Sequence, residues 1–430
     1  MFRTRLLSLV LIFVASACAA LPAAPEPPAS PPPLEKTSTP AAAKEREAVR
    51  VLARARIAAV GDVLMHGAVK DAARAADRRD ESGRSLNHEG YADLFEGVAD
   101  ALRDADLGFA NLETPVAPKA DKGSRPFVFN APAALLPALR DAGVGFVSFA
   151  NNHVFDQGMA GFVETIERLE AADFPFAGAG RSCEEARRAR IVEVQGIRIA
   201  FIAGTMLFNE NHNRKPSDPC AFALDERLAL EAQRKAREAG AELVILSAHW
   251  GVEYEVAPRK QEIELAHRLL DGGFDAILGH HPHVLQPVEV YETKDGRITF
   301  VAYSLGNFIS NQSRTYAHGV QPAKMGNTRD GVILRFSALR KRYGDDDVRV
   351  ELGELYAEPL WTDNNALARQ RDQKLASHIR VVHVDAAIEA ARAELEKAEA
   401  EQALRLRKRI ELLEARRAIA AGIVGEDLLR

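Results

Sequence analysis

The sequence predicts an α/β fold with a functional site at its strand ends, and three observations carry that reading. Near-continuous apolar runs recur through residues 51–365, the pattern of strands buried on both faces of a covered sheet. Helical stretches separate several of them, at Gly161–Ala172, Arg227–Gly240 and Gln261–Asp271, and such alternation marks an α/β architecture. Five of the runs stop abruptly at residues that bind metals or move protons. The bulk properties agree. A chain of 430 residues, 47% hydrophobic and 27% charged, is not a polytopic membrane protein, a disordered chain or a collagen-like fibre. Its net charge of -5 gives no basic surface for nucleic acid.

Taken in order, the chain opens on a targeting segment over residues 1–20. Arg3 and Arg5 precede an apolar run, Leu6–Ala17, followed by the small residues Cys18-Ala19-Ala20. That is the pattern of a secretory signal peptide, too short to span a bilayer of roughly 30 Å as a helix. Ala15-Ser16-Ala17-Cys18 resembles a bacterial lipobox, which would leave Cys18 lipidated. Ala15 stands where Leu or Val is usual, and ordinary cleavage near Ala19 or Ala20 is the alternative. Either way the mature chain is expected outside the cytoplasm, in the periplasm or at the cell surface, with a membrane anchor if lipidated. Cys183 and Cys220 would then meet an oxidising compartment, as a disulfide or as two separate thiols.

Residues 21–50 form a Pro/Ala-rich tether, extended and fairly stiff. The main domain follows over 51–365, and residues 366–430 form a helical extension. Within the extension, Asp385–Ala421 lacks Gly and Pro, and Ile388, Ala391, Leu395 and Ala398 keep helical spacing. A long amphipathic helix or an αα-hairpin is expected. Its thin, irregular apolar stripe favours packing on its own domain over a coiled-coil partner surface.

The strand ends carry the chemistry. Ile57–Val60 leads into Gly61-Asp62, with His66 beyond. Leu107–Ala110 leads into Asn111-Leu112-Glu113, and Phe146–Ala150 into Asn151-Asn152-His153 and Asp156. Leu243–Ala248 stops at His249, and Asp275–Gly279 at His280-His281-Pro282-His283. A sixth run, Phe300–Tyr303, leads into Ser304-Leu305-Gly306-Asn307. In open α/β sheets the site lies outside the carboxyl ends of the strands, so these residues should converge. Each alone reads equally as a helix cap or a hydrogen-bonded loop residue; their conjunction points to metal. Carboxylates mixed with imidazoles and an amide suit Mn, Fe or Zn. One tetrahedral ion needs only about three protein ligands. The surplus fits two divalent cations about 3.5–4 Å apart that share a carboxylate, and a nearby imidazole can protonate a leaving oxygen.

The stretches GDVLMHG from Gly61, NLETPV from Asn111, FANNHVFDQG from Phe149, HWGVEYE from His249, GHHPHVLQPVE from Gly279 and YSLGNFI from Tyr303 resemble the CapA family. These are poly-γ-glutamate capsule synthesis proteins, themselves similar to calcineurin-like metallophosphatases. The resemblance spans about residues 55–365. It implies a four-layer α/β/β/α metallophosphatase-like sandwich with a C-terminal helical tail. It implies Asp62, His66, Glu113 and His283 around one ion and Glu113, Asn152, His249 and His281 around the other, although the Asp62 to His66 spacing is wider than in the phosphatases. His153 becomes the acid, oriented by Asp156, and His280 stands behind the ligands. Glu253, Tyr254, Gln286 and Asn307 either contact substrate or shape turns and strand ends. Arg125 either meets an anionic substrate or is an exposed loop arginine.

The function implied is an exported hydrolase of phosphate esters or of another envelope linkage, acting on a phosphoester or an anionic polymer. The alternative is a non-catalytic capsule-assembly component that binds or guides an anionic polymer such as poly-γ-glutamate. Capsule synthase or export proteins of the membrane are the expected partners, and nucleic acid is not one.

Overall fold

The strand Val49–Val63 is the axis of the first sheet. On one side it runs parallel to Leu107–Asn111, which is parallel to Val144–Ser148, and that in turn to Phe176–Ala177. On the other side it is antiparallel to Asp330–Tyr343, and the sheet continues through Asp347–Asn364 to the edge strand Ile379–His383. The short strand Asn307–Ile309 pairs with the end of the axis strand and sets Asn307 opposite Asp62. The second sheet runs in the order Val288–Glu292, Ile298–Ala302, Ala276–His280, Leu243–His249, Ile197–Thr205 and Arg190–Val194. Its four inner strands are mutually parallel. The computed structural model describes residues 49–123, 127–345 and 347–430. The signal segment with Cys18, nearly all of the tether and Arg125 lie outside the described residues.

Strand side chains alternate between faces, and both faces here are buried. Ile57, Phe109 and Phe146 of the first sheet meet Phe201, Ile245 and Leu278 of the second in one core. The ring centroids of Phe146 and Phe201 lie 4.3 Å apart across that interface. Burying one such side chain contributes about 1.5–3 kcal/mol. Val60, Ala110 and Val147 point the other way, against helices Gly67–Ala76, Glu96–Arg103, Leu135–Asp141 and Gly158–Ala171. Val244, Leu246 and Ile277 do the same against Glu226–Glu238 and Lys260–Asp271. Local chemistry sets the start of one of these helices. Asp225 caps Glu226–Glu238 by accepting from the Leu228 N–H at 2.9 Å, and Ala229, Ala232 and Ala236 form its buried face. The four expected layers are therefore helix, sheet, sheet, helix.

The C-terminal extension departs from its expectation in one respect. Its helices Ala366–Arg371, Val384–Leu395 and Ala400–Val424 are interrupted by the strand Ile379–His383, which completes the first sheet. The last two helices form an αα-hairpin that packs on its own domain through Leu413, Ala420 and Val424. Cys183 and Cys220 are joined in a disulfide. No helix among the described residues is long and apolar enough to cross a membrane.

Candidate metal centre

Register puts the polar tips level. Asp62 stands opposite Asn111, and Asn111 opposite Ser148, in the first sheet; His249 stands opposite His280 in the second. Gly61 allows the closest approach: a Cβ there would lie 1.9 Å from the carbonyl oxygen of Gly306. That carbonyl accepts the Asp62 N–H at 3.0 Å. Beyond the second sheet, His281 and His283 are held at φ +96° and +59°. Such backbone costs on the order of 1–3 kcal/mol per residue and concentrates at functional sites. His283 Nδ1 then lies 3.1 Å from Asp62 Oδ2, and the His281 N–H donates to the same oxygen at 3.4 Å.

Five side chains form two groups that share one member. Asp62, Glu113 and His283 offer ligand atoms within 4.8 Å of one another, and so do Glu113, His249 and His281. Glu113 Oε1 lies between the two, 3.7 Å from His249 Nε2 and 3.8 Å from His283 Nε2. All five residues are buried. Yet Glu113 Oε1 and His281 Nδ1 have no hydrogen-bond partner. A buried carboxylate oxygen without a donor costs several kcal/mol, and a cation shared through Glu113 would remove that cost. The donor set therefore fits divalent metal.

The electrostatics agree. Burial pushes the Asp62 carboxyl up, but hydrogen bonding and charge from His280 and His283 outweigh it and hold the group well below the usual range. Burial, then the neighbouring Asp62, pushes Glu113 well above. Burial and then His281 lower His249, while burial and then His283 lower His281 to about 4. Burial thus favours the neutral form of His249 and His281 that ligation requires.

Around this centre stand the partners that orient it. His280 Nδ1 lies 3.2 Å from Asp62 Oδ1, behind the ligand as expected. Asn152 Oδ1 lies 2.9 Å from His249 Nε2, and its Nδ2 donates to Asn209 Oδ1 at 3.1 Å. His153 Nδ1 lies 2.8 Å from Asp156 Oδ2, which also accepts the Phe129 N–H at 2.6 Å. The His153 ring packs on Phe129 at 4.4 Å. His66 stands beside the centre and outside both groups. The chain leaves its strand at Val63 and the helix begins at Gly67, with His66 as the residue before it. Its Nδ1 accepts the Asn311 N–H at 3.3 Å, and burial, then the charges of His283 and His153, lower it to about 4.

The four residues read as substrate contacts divide evenly. Glu253 and Tyr254 are exposed at the rim; the Tyr254 ring lies 6.3 Å from that of His283, and burial and then Glu253 push its hydroxyl up to about 12. Gln286 and Asn307 are buried and bonded to protein. Gln286 Nε2 donates to the Glu255 carbonyl at 2.7 Å, and Asn307 Oδ1 meets His283 Nδ1 at 3.1 Å. Their structural reading is the one the geometry takes.

Three residues went unassigned from sequence. Asn111 donates through Nδ2 to Asp62 Oδ1 at 2.9 Å and accepts from Ser148 Oγ at 2.9 Å, tying two strand ends together. Asn151 donates to the Leu112 carbonyl at 2.9 Å. Both stood in the motifs, and an amide at the end of a buried strand was their signal. Asn209, beside His153 and Asn152, sits in an irregular loop that gave none.

Residues 56–312 match the model of the family described as bacterial capsule synthesis protein PGA_cap. The chain belongs to that family. Every residue of the centre lies inside the matched span, and the C-terminal extension lies beyond it. Among PGA_cap relatives, the capsule biosynthesis protein CapA of Bacillus anthracis is 30% identical over 292 residues, 66% of this chain and 65% of that one. The chain thus spans slightly less than two thirds of that relative's length. The PGA biosynthesis protein CapA of Bacillus subtilis (strain 168) is 27% identical over 309 residues, 71% and 73% of the two chains. Similar solved structures include the calcineurin-like phosphoesterase YfkN of Bacillus subtilis, with 13% identity, coverage of 75% and 96%, and a TM-score of 0.40. Haemophilus influenzae NAD nucleotidase is similar at 14% identity, coverage of 72% and 52%, and a TM-score of 0.41.

Proposed function

We propose that this chain works outside the cytoplasm in the biosynthesis of a capsule or envelope polymer such as poly-γ-glutamate, and that its strand-end centre is a dinuclear hydrolase of a phosphoester or another linkage of that polymer. The observation that carries the reading is Glu113 Oε1, buried without a donor between His249 and His283. Asp62, Glu113 and His283 would hold one cation and Glu113, His249 and His281 the other, with Asn152 beside the second; Mn, Fe and Zn all suit these ligands. When bound, such a pair supplies Lewis acidity toward a phosphoryl oxygen and activation of water at neutral pH. The chain's residues supply the rest. Asp156 fixes the tautomer and orientation of His153, so that His153 can deliver a proton to the leaving oxygen. Phe129 covers its ring. Asn111 aims Asp62 by donating to its Oδ1, and His280 and His283 favour its charged form.

Export is supported by the signal-like segment and by the Cys183–Cys220 disulfide, since such bonds persist in oxidising compartments. Lipidation at Cys18 would hold the domain at a membrane, within reach of capsule synthase or export proteins.

The purified mature chain should contain divalent metal that chelation removes, and with Mn²⁺ restored it should hydrolyse a chromogenic phosphodiester. His249→Ala should lower turnover more than about a hundredfold, beyond the 10–100-fold typical of groups that only support a ligand. A His249→Ala protein that bound metal and turned over like the wild type would end the hydrolytic reading. Metal without any hydrolysis would favour a component that guides the polymer.

A further inference from the structure

A cavity of about 280 Å³ opens beside the metal centre, among the start of helix Gly67–Ala76, the loop after Ile309 and the segment 364–379. It reaches the neighbourhood of the centre through His66. Asn311 lines it and donates its backbone N–H to His66 Nδ1 at 3.3 Å, and Ala68 lines it two residues beyond His66. His66 in turn lies within the field of His283 and His153.

The lining has one chemical character. Arg314 and Arg369 face it together with amides and His378, and no Asp or Glu is among its residues. Arg314 is exposed and makes no hydrogen bond or ion pair among the described residues. Arg369 spends Nε on the Leu375 carbonyl at 3.0 Å, and its two Nη groups have no carboxylate partner among the described residues. Asn364 adds a buried Nδ2 donor without a partner. Elsewhere on this chain arginines are routinely matched with carboxylates, as in Arg340 with Glu242 and Arg268 with Glu226. Two guanidinium groups in a carboxylate-free recess are built to receive anionic oxygens, which they can bind bidentately. Both arginines lie beyond the span that the family model matches.

We propose that this cavity is an anion subsite: Arg314 and Arg369 bind a carboxylate or phosphate group of the polymer whose linkage lies at the metal centre. The inference rests on the function proposed above and names the chemistry of its substrate. A charged chain engaged at the centre carries its neighbouring anionic groups past His66 and into the recess.

The test is a binding measurement that does not need the metal. A fluorescent γ-linked glutamate oligomer is titrated by anisotropy into chelated mature chain, with inorganic tripolyphosphate as the competing probe. The wild type should bind, more weakly as salt rises. Arg314→Ala and Arg369→Ala should each weaken binding about tenfold, the worth of one hydrogen bond to a charged group. Metal content on reloading should stay at the wild-type level in both. Displacement by unlabelled oligomer and not by tripolyphosphate identifies a carboxylate subsite, and displacement by tripolyphosphate at lower concentration than by unlabelled oligomer identifies a phosphate subsite. Equal affinity in the wild type and the double variant, or no binding of either probe by the wild type, overturns the proposal. Failure of the hydrolase reading would look different: no metal or no turnover in the wild type, with oligomer binding intact.

Discussion

Two clusters of buried charge are built in opposite ways. At the C-terminal hairpin, Arg416 donates Nε to Asp330 Oδ1 at 2.9 Å, Nη1 to the Ala323 carbonyl at 2.8 Å and Nη2 to Asn327 Oδ1 at 2.9 Å. Nη2 also bonds Asp330 Oδ2, so both carboxylate oxygens and all three guanidinium nitrogens have partners. Arg329 stacks over Trp361 at 4.1 Å and donates to the Thr362 carbonyl at 2.7 Å. At the strand ends, Glu113 is equally deep, with one oxygen left bare. Depth and charge are common to both sites. Completion of the ionic groups separates them: Asp330 and Arg416 satisfy each other, while Trp361 Nε1 and Thr362 Oγ1 beside them lack partners, and Glu113 is satisfied only around a cation. A buried carboxylate oxygen left bare among imidazoles, more than buried charge as such, marks the place where a cation belongs.

The largest expected effect tests the incomplete cluster. Thermal unfolding of chelated and Mn²⁺-saturated protein should differ by about 4 kcal/mol for each ion bound when metal exceeds its Kd about a thousandfold. Glu113→Gln should abolish most of that gain and leave the chelated protein as stable as wild type, because burial already favours the protonated acid that the amide imitates. A variant that kept the full metal gain would remove Glu113 from the centre. Next comes the complete cluster. Arg416→Met should cost about 3 kcal/mol in urea denaturation, the low end for a broken buried pair. The low end applies because burial pushes Asp330 up to about 6 even beside Arg416, so the abandoned acid can take a proton. Adding Asp330→Leu should restore most of the loss. Were the double variant no better than the single, the pair would not be a self-contained unit.

A smaller effect separates the two clusters by pH. Burial first, then His283 and His153, hold His66 at about 4, below its ordinary 6.5. A base depressed by folding contributes stability that is fully present above the unfolded value and is lost as pH falls toward the folded one. Between about pH 6.5 and about pH 4 the chelated protein should therefore lose on the order of 2 kcal/mol through His66, discounted for its partial exposure. His281 acts in the same direction. Urea titrations across that window should show a flatter slope for His66→Gln. An identical slope would mean that His66 does not titrate with the centre.

What could be read from sequence follows from what each residue's role demands of its neighbours. Asp62, Glu113, His249 and His283 stood out because a strand buried on both faces stays largely apolar until it ends, so the polar residues gathered at and just beyond its end are conspicuous. The parallel strands Leu107–Asn111 and Leu243–His249 were legible for the same reason. The long strands Asp330–Tyr343 and Asp347–Asn364 were not, because their outer halves carry Arg, Lys and Glu that meet solvent and one another. Ile379–His383 is a five-residue edge strand, too short for a pattern to show between helical stretches. The choice of a hairpin over one long helix falls at Glu396–Glu399, where no glycine or proline announces the break. His66 stands just past its strand and outside the two ligand groups, where sequence spacing carries no direction. Asn307 was read as open between substrate and structure, and only coordinates place its carbonyl oxygen on His283.

That placement supports the smallest and most discriminating prediction. Asn307 Oδ1 and Asp62 Oδ2 each lie 3.1 Å from His283 Nδ1, while the Thr328 carbonyl and Gln312 Oε1 hold Asn307 Nδ2 at 2.8 Å. With its Nδ1–H donated to these oxygens, His283 presents Nε2 toward Glu113, the tautomer a metal ligand needs. Asn307→Ala should therefore weaken Mn²⁺ binding about tenfold, the lower bound for such supporting groups, as followed by titration of free Mn²⁺. Asn327→Ala is the matched removal in the hairpin cluster. It should cost about 1 kcal/mol of stability with Mn²⁺ affinity unchanged, since Asn327 answers Arg416. If Asn307→Ala lowered stability alone and left affinity at the wild-type value, the amide beside His283 would belong with the hairpin cluster as packing. The distinction between a closed and an open polar cluster would then fail at the residue where it is most finely drawn.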